Sequence, residues 1–249
     1  MNYVDLIVHA LQRGVPQAYA CVLASLLGCG AAHASETAPD LFIGGAQSSS
    51  ESSYSYLGVI RPVWGGTVGD GWFGKAVASW LTYRYATVMV GRDVDVRASA
   101  PGIDSGLGYA WRRGALSGDV SLAVGVRNAR LRPDVTTDGP KGTRVTLTPQ
   151  MAARYDPTPS AYADMLASYS FGTRGSFVRA RLALRPASAW RAGLEGTVAE
   201  GADYRTVQRG VFAGTDAGAG WSIELHAGQA RARDGHRAPY GGLSVSKML

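Results

Sequence analysis

The feature that most restricts what this chain can fold into is an alternation of apolar and polar residues, repeated along most of its length. Val120, Leu122, Val124 and Val126 alternate with Asp119, Ser121, Ala123, Gly125 and Arg127. A period of two places the first set on one face of a strand and the second set on the other. The pattern recurs in Val178, Ala180, Leu182 and Leu184 against Arg179, Arg181 and Arg185, and in Trp190, Ala192, Leu194 and Val198 against Arg191, Glu195 and Thr197. Trp221, Ile223, Leu225 and Ala227 against Ser222, Glu224 and His226 form a fourth case. Val145, Leu147, Met151 and Ala153 against Arg144, Thr146, Gln150 and Arg154 form a fifth, despite Pro149. These segments run about 9 to 12 residues, the length of a tilted membrane-crossing strand, whereas strands of soluble domains average about 5 or 6. Turn-forming spacers such as Asp156-Pro157-Thr158-Pro159-Ser160 and Gly214-Thr215-Asp216-Ala217-Gly218 separate them, so consecutive strands join as antiparallel hairpins.

Reading the whole chain this way gives segments near 41–47, 54–63, 72–86, 92–113 (bent at Pro101-Gly102 and readable as one piece or two), 117–128 and 142–154 in the first half. Six more follow near 161–171, 174–185, 189–199, 204–213, 218–228 and 239–249. The expected fold is all-β: an antiparallel up-and-down transmembrane β-barrel of 12 strands. With twelve strands and a periplasmic N-terminus, the longer connections 128–142 and 229–237 both fall outside the cell, matching the rule of short periplasmic turns and longer external loops. Alternation does not say which face points inward, and a soluble sandwich or lipocalin-like barrel would bury the apolar one. The outward choice rests on the implied inner face, rich in Arg, Glu, Ser, Thr and Gly, and on a chain with only five Phe, lean for a soluble core. Trp64, Trp72, Phe73, Tyr83, Tyr85, Trp111, Tyr169 and Phe171 gather near segment ends and are expected to form interfacial girdles.

Residues 1–34 read as a signal peptide, with Arg13 before an apolar core at 18–27 and the small-residue stretch Ala32-His33-Ala34 at its end. That core is about half of the roughly 20 residues a transmembrane helix needs. Residues 35–249 are expected to form a single β-barrel domain. Both cysteines, Cys21 and Cys29, precede the cleavage point, so no disulfide or thiolate site is expected in the mature chain. Leu26-Leu27-Gly28-Cys29 also fits a lipoprotein cleavage box, in which Cys29 would become an acylated N-terminus.

A net charge of +6 would suggest nucleic acid in a cytoplasmic protein, but an exported chain meets outer-membrane lipid, lipopolysaccharide or glycans instead. Gly69-Asp70-Gly71-Trp72-Phe73-Gly74, with Asp93 about 20 residues further on, matches a dinucleotide fingerprint. The chain lacks the remaining helices of a βαβ fold, so a Gly-rich turn is the reading adopted and no cofactor is expected. His226 and His236 are the only histidines after the signal peptide, and they lack metal-ligand spacing. Ser222, Glu224 and His226 line up along one strand without converging as a nucleophile, base and orienter must, so no catalytic residue is assigned. Arg179, Arg181, Arg185, Arg191, Glu195 and Glu224 are expected to form a lumen-facing charged lining, either paired filling or a surface that guides substrate.

Several short motifs resemble the cellulose biosynthesis protein S (BcsS) family. They are Gly44-Gly45-Ala46-Gln47-Ser48-Ser49, Tyr54-Ser55-Tyr56-Leu57-Gly58, the Gly-rich turn at 65–71, Tyr83-Arg84-Tyr85, Leu107-Gly108-Tyr109, and Tyr204-Arg205 with Gly210. The resemblance implies an outer-membrane accessory protein of bacterial cellulose synthesis, with cellulose or another glucan and other synthase subunits as partners, and brings no catalytic residues with it. The C-terminal Met248-Leu249 lacks the terminal aromatic of many outer-membrane barrels. The expected function is a non-enzymatic barrel assisting exopolysaccharide biosynthesis, secretion or surface attachment. A general porin-like channel and a lipid-modifying barrel enzyme are the alternatives.

Overall fold

A computed structural model describes residues 39–89, 91–134, 141–202 and 204–249. The expected signal peptide, with Cys21 and Cys29, lies outside the described residues. The strands are β1 (Leu41–Ser49), β2 (Ser52–Pro62), β3 (Gly71–Met89), β4 (Arg92–Arg113), β5 (Leu116–Arg132) and β6 (Gly142–Thr158). They continue as β7 (Ala161–Ser170), β8 (Gly175–Ala187), β9 (Trp190–Glu200), β10 (Arg205–Gly218), β11 (Trp221–Ala232) and β12 (Arg237–Met248). Each strand pairs antiparallel with the next, and β1 pairs with β12 from Leu41↔Met248 to Ser49↔Tyr240, which closes the barrel. Residues 92–113 form one strand, with Pro101 opposite Trp80 and no break. The connections after β5 and β11 lie at the end opposite the termini, but β11 reaches Ala232 and leaves only residues 233–236 before β12, whereas the longer connection 63–70 lies at the terminus-bearing end.

The apolar face points outward. Leu182 and Leu194 oppose each other across β8 and β9 and are 64% and 62% exposed, while the intervening Ala183 and Glu195 are buried. Leu122, Val124, Val211 and Leu225 extend this exposed belt around the wall. Such a surface in water would be an extended sticky patch, whereas in a bilayer it is the required solvent match. On the β7–β11 side the belt forms a trough of about 950 Å³ floored by small residues such as Ala192 and Ala213.

On the tall wall made by β3, β4 and β5 this polarity inverts. Up to Trp80, Ile103 and Val126 the outer positions are largely apolar; beyond them they become Arg84, Asp95, Arg97, Arg130 and Arg132. On the inner face of the same extension Tyr83, Val96, Ala98 and Leu131 pack into a buried cluster. The strands thus leave the membrane and continue as a water-exposed sheet with its own small core, because above the lipid the apolar side gains by turning away from solvent. The inversion marks the upper edge of the belt without reference to any ligand. Arg84, Arg97 and Arg132 sit in direct cross-strand register there.

The expected girdle is divided by the same rule. Trp64, Trp72 and Phe171 are exposed, with Trp72 packed edge-on against Trp64 at 5.8 Å and Tyr109 at 5.4 Å near the terminus-bearing end. Phe73 and Tyr83 are instead buried, and Tyr85 shares their inner face, because odd positions of β3 point inward. The Gly69–Gly74 motif is a β-turn and strand start: Thr67 and Asp70 bridge to each other, and Gly65, Gly69 and Gly71 have positive φ.

Candidate functional site: the barrel lumen

The lower lumen, toward the termini, holds a network of ion pairs between strands distant in sequence. Arg181 on β8 donates to Asp164 on β7 from Nε at 2.9 Å, and from Nη1 to Glu224 on β11 at 2.8 Å. Arg191 on β9 donates from Nε to the other Glu224 oxygen at 2.6 Å, from Nη1 to Asp216 at 2.8 Å, and from Nη2 to Ser222. One carboxylate therefore bridges two guanidiniums, each acting as a fork. The Arg181 guanidinium also lies 4.8 Å over the Phe212 ring. Nearby, Arg185 donates to Asp156 at 2.6 Å, Arg154 donates to the same carboxylate, and both guanidiniums cover Tyr162.

Glu195 forms a second centre, its side chain 2% exposed. It accepts from the Tyr240 hydroxyl at 2.9 Å, and His226 Nδ1 lies 2.9 Å from its other oxygen. A carboxylate only accepts, so Nδ1 carries the proton and Nε2 is left facing the Ser244 hydroxyl at 3.2 Å. Tyr240 reaches Glu195 by lying across two glycines: a Cβ at Gly210 would come 2.2 Å from its hydroxyl, and one at Gly228 would come 2.8 Å from its ring. Ser244, His226 and Glu195 follow the order of a nucleophile, base and orienter. The Glu224 carboxylate, however, lies 3.9 Å from the same Nε2, where it would oppose a developing oxyanion. Ser244 is also paired to both Gly45 and Glu224 within the sheet.

All six residues expected to line the lumen occupy inner positions, but they do not form one set. Arg181, Arg191 and Glu224 share a chain of contacts, Arg185 belongs to the Asp156 pair, and Glu195 belongs to the His226 centre. Arg179 stands apart, its buried Nε without a hydrogen-bond partner among the described residues. Of the β11 row, Ser222 and Glu224 share Arg191, whereas His226 is taken by Glu195 and Ser244. Sequence reasoning missed Asp156 and Asp216, because both lie where turn spacers were read. It also missed Ser244 and Tyr240, which carry no motif and become neighbours of Glu195 and His226 only across β10 to β12. Among the described residues no group of three or more His, Cys, Asp or Glu is placed to hold a metal ion.

The upper lumen is aromatic. Tyr54 and Tyr56 on β2 stack at 5.8 Å, and Tyr83 and Tyr85 on β3 stack at 5.9 Å. Tyr204, in the connection between β9 and β10, crosses from the opposite wall and packs on Tyr83 at 4.7 Å. Beneath it a small cavity of about 50 Å³ is bordered by Arg127, Arg144 and Thr173. Arg127 donates to Ser79 at 3.0 Å and lies 3.8 Å from Asp104, which accepts from Thr146.

A closed twelve-strand antiparallel barrel with an apolar belt, aromatic girdle residues and a polar lumen is the architecture of outer-membrane β-barrels. Solved structures of the same fold include a KdgM porin in complex with disordered oligogalacturonate, with 8% identity, coverage of 84% of this chain and 99% of that one, and a TM-score of 0.52. A NanC porin shows 12% identity, 84% and 100% coverage, and a TM-score of 0.50. An outer membrane channel from Pseudomonas putida F1 shows 10% identity, 88% and 98% coverage, and a TM-score of 0.50. No curated protein matches the chain. The family of cellulose biosynthesis protein BcsS matches residues 41–249, and the chain belongs to it.

Proposed function

We propose that this protein is a non-enzymatic outer-membrane barrel, exported through the signal peptide at 1–34, that assists secretion or surface attachment of cellulose. The observation that carries the reading is the apolar exterior around a polar, glycan-compatible lumen in a chain of the BcsS family. The non-enzymatic part is supported by the setting of Ser244, whose backbone is paired on both sides and whose partner His226 Nε2 also lies 3.9 Å from the Glu224 carboxylate. The row Arg84, Arg97 and Arg132, exposed just above the belt, supports lipopolysaccharide phosphate as a lipid partner, since like charges in direct register are unfavourable until an anion sits between them. Tyr204 across the mouth supports a low-conductance barrel over a general porin.

Deleting the gene is expected to reduce Congo-red binding and pellicle formation while leaving general outer-membrane permeability unchanged. Cellulose output unchanged by the deletion would overturn the assignment.

A further inference from the structure

The ion-pair network accounts for the lower lumen but not for the tyrosines above it. The register of β2 with β3 places Tyr56 opposite Ser79, Tyr54 opposite Leu81 and Ser52 opposite Tyr83, all on the inner face. The rings therefore stand in file from mid-lumen toward the mouth, over four residues of β3, roughly 13 Å at about 3.3 Å per residue. Within each stacked pair the ring planes differ by only 27°. Tyr56 lies against the β1 backbone because Gly45 leaves room: a Cβ there would come 2.7 Å from its ring. Tyr54 is 38% exposed, offering its free face to the lumen.

Beside these rings stand Ser79, Thr146, Asp104 and Arg127, the Arg127 guanidinium lying near the Asp104 carboxylate, with Arg144 across the strand pair from Arg127. An aromatic file with hydrogen-bond donors and acceptors along its edge matches a pyranose chain, whose ring faces carry C–H groups and whose rims carry hydroxyls. A straight file suits a β-linked ribbon, because an α-linked chain coils away from it. Arg181, Arg185 and Arg191 already hold carboxylates of the protein, whereas Arg144 beside the track holds none among the described residues, so an acidic sugar chain is the comparison that tests the neutral choice. Tyr204 packs on Tyr83, its ring plane tilted by 39°, in the place a sugar ring would take at the outer end.

We infer that Tyr56, Tyr54 and Tyr83 form a binding track for a neutral β-linked glucan chain, and that Tyr204 is its displaceable cap. The choice of glucose as the sugar rests on the cellulose reading above. The test is calorimetry of the full chain in detergent micelles with cellohexaose, with maltohexaose and hexagalacturonate as comparison ligands. Cellohexaose is expected to bind in preference to both. Replacing Tyr54 and Tyr56 together by alanine should weaken binding about tenfold, while the double phenylalanine variant stays within about threefold, because stacking needs the ring and not the hydroxyl. Tyr204→Ala should tighten binding by removing the competitor.

Heat-modifiable gel mobility identifies folded variants. Folded wild-type protein that does not bind cellohexaose, that prefers hexagalacturonate, or whose affinity survives the double alanine change would overturn the track. The two readings fail separately. Lost cellulose on deletion without cellohexaose binding removes the track alone, whereas binding with unchanged cellulose on deletion removes the role alone.

Discussion

Replacing Glu224 with alanine is expected to lower barrel stability by about 3 kcal/mol, the largest effect of any single change in the lumen. Its carboxylate, 14% exposed, is shared by Arg181 and Arg191, which are 11% and 15% exposed. Truncation leaves two mostly buried guanidiniums facing the space it vacated. Arg181 keeps Asp164, but the only carboxylate Arg191 keeps among the described residues is Asp216, which is 59% exposed, beside the neutral Ser222 hydroxyl. Losing one partner of a buried pair costs more than the pair itself contributes, because the orphaned charge stays desolvated. Glu224→Gln should fall between wild type and alanine, retaining acceptor geometry for one arginine without the charge. Urea unfolding in phosphatidylcholine vesicles, followed by tryptophan fluorescence, measures the difference. A change below about 0.5 kcal/mol would mean that lumen water screens the network as it does surface pairs.

The second large effect is expected on the outside. Leu194→Arg, in the middle of the belt and opposite Leu182, should cost about 2 to 4 kcal/mol in a bilayer, because a guanidinium at that depth meets hydrocarbon. The same substitution on a water-facing surface would be nearly silent. Arg97→Leu provides the contrast: Arg97 is also exposed and on the outer face, but it lies beyond the polarity inversion, so little change is expected in phosphatidylcholine vesicles. Equal responses at the two positions would contradict the placement of the membrane boundary between them.

Both predictions depend on contacts the linear chain does not display. Arg191 and Glu224 lie 33 residues apart, Tyr240 and Glu195 lie 45 apart, and Tyr204 meets Tyr83 from the opposite side of the barrel. In each case the contact follows from register added strand by strand around a closed sheet. A slip of one residue in any hairpin would turn a whole strand's inner face outward. Asp156 and Asp216 show the same limit: in sequence they belong to turn-like spacers, and only the extension of β6 and β10 carries them into the lower lumen.

Alternation of polarity is a local property, and so are turn residues. The strand segments and their antiparallel succession were therefore legible along the chain, whereas alternation left 92–113 open as one piece or two and only the side on which the loops fall favoured a single piece. The motifs Tyr54-Ser55-Tyr56 and Tyr83-Arg84-Tyr85 also carried the resemblance to the family that the chain proves to match. What the period of two does not contain is a direction, since a strand with apolar residues on one face reads the same whether that face meets lipid or a core. Closure decided it, placing Leu182, Leu194 and Leu225 outside and Glu195, Glu224 and His226 within. Tertiary structure also reversed the expectation for Phe73, Tyr83 and Tyr85, turning supposed girdle residues into lumen walls. Where β3 to β5 rise past the lipid, water reaches their outer face, and the same alternation is satisfied with its apolar side turned in.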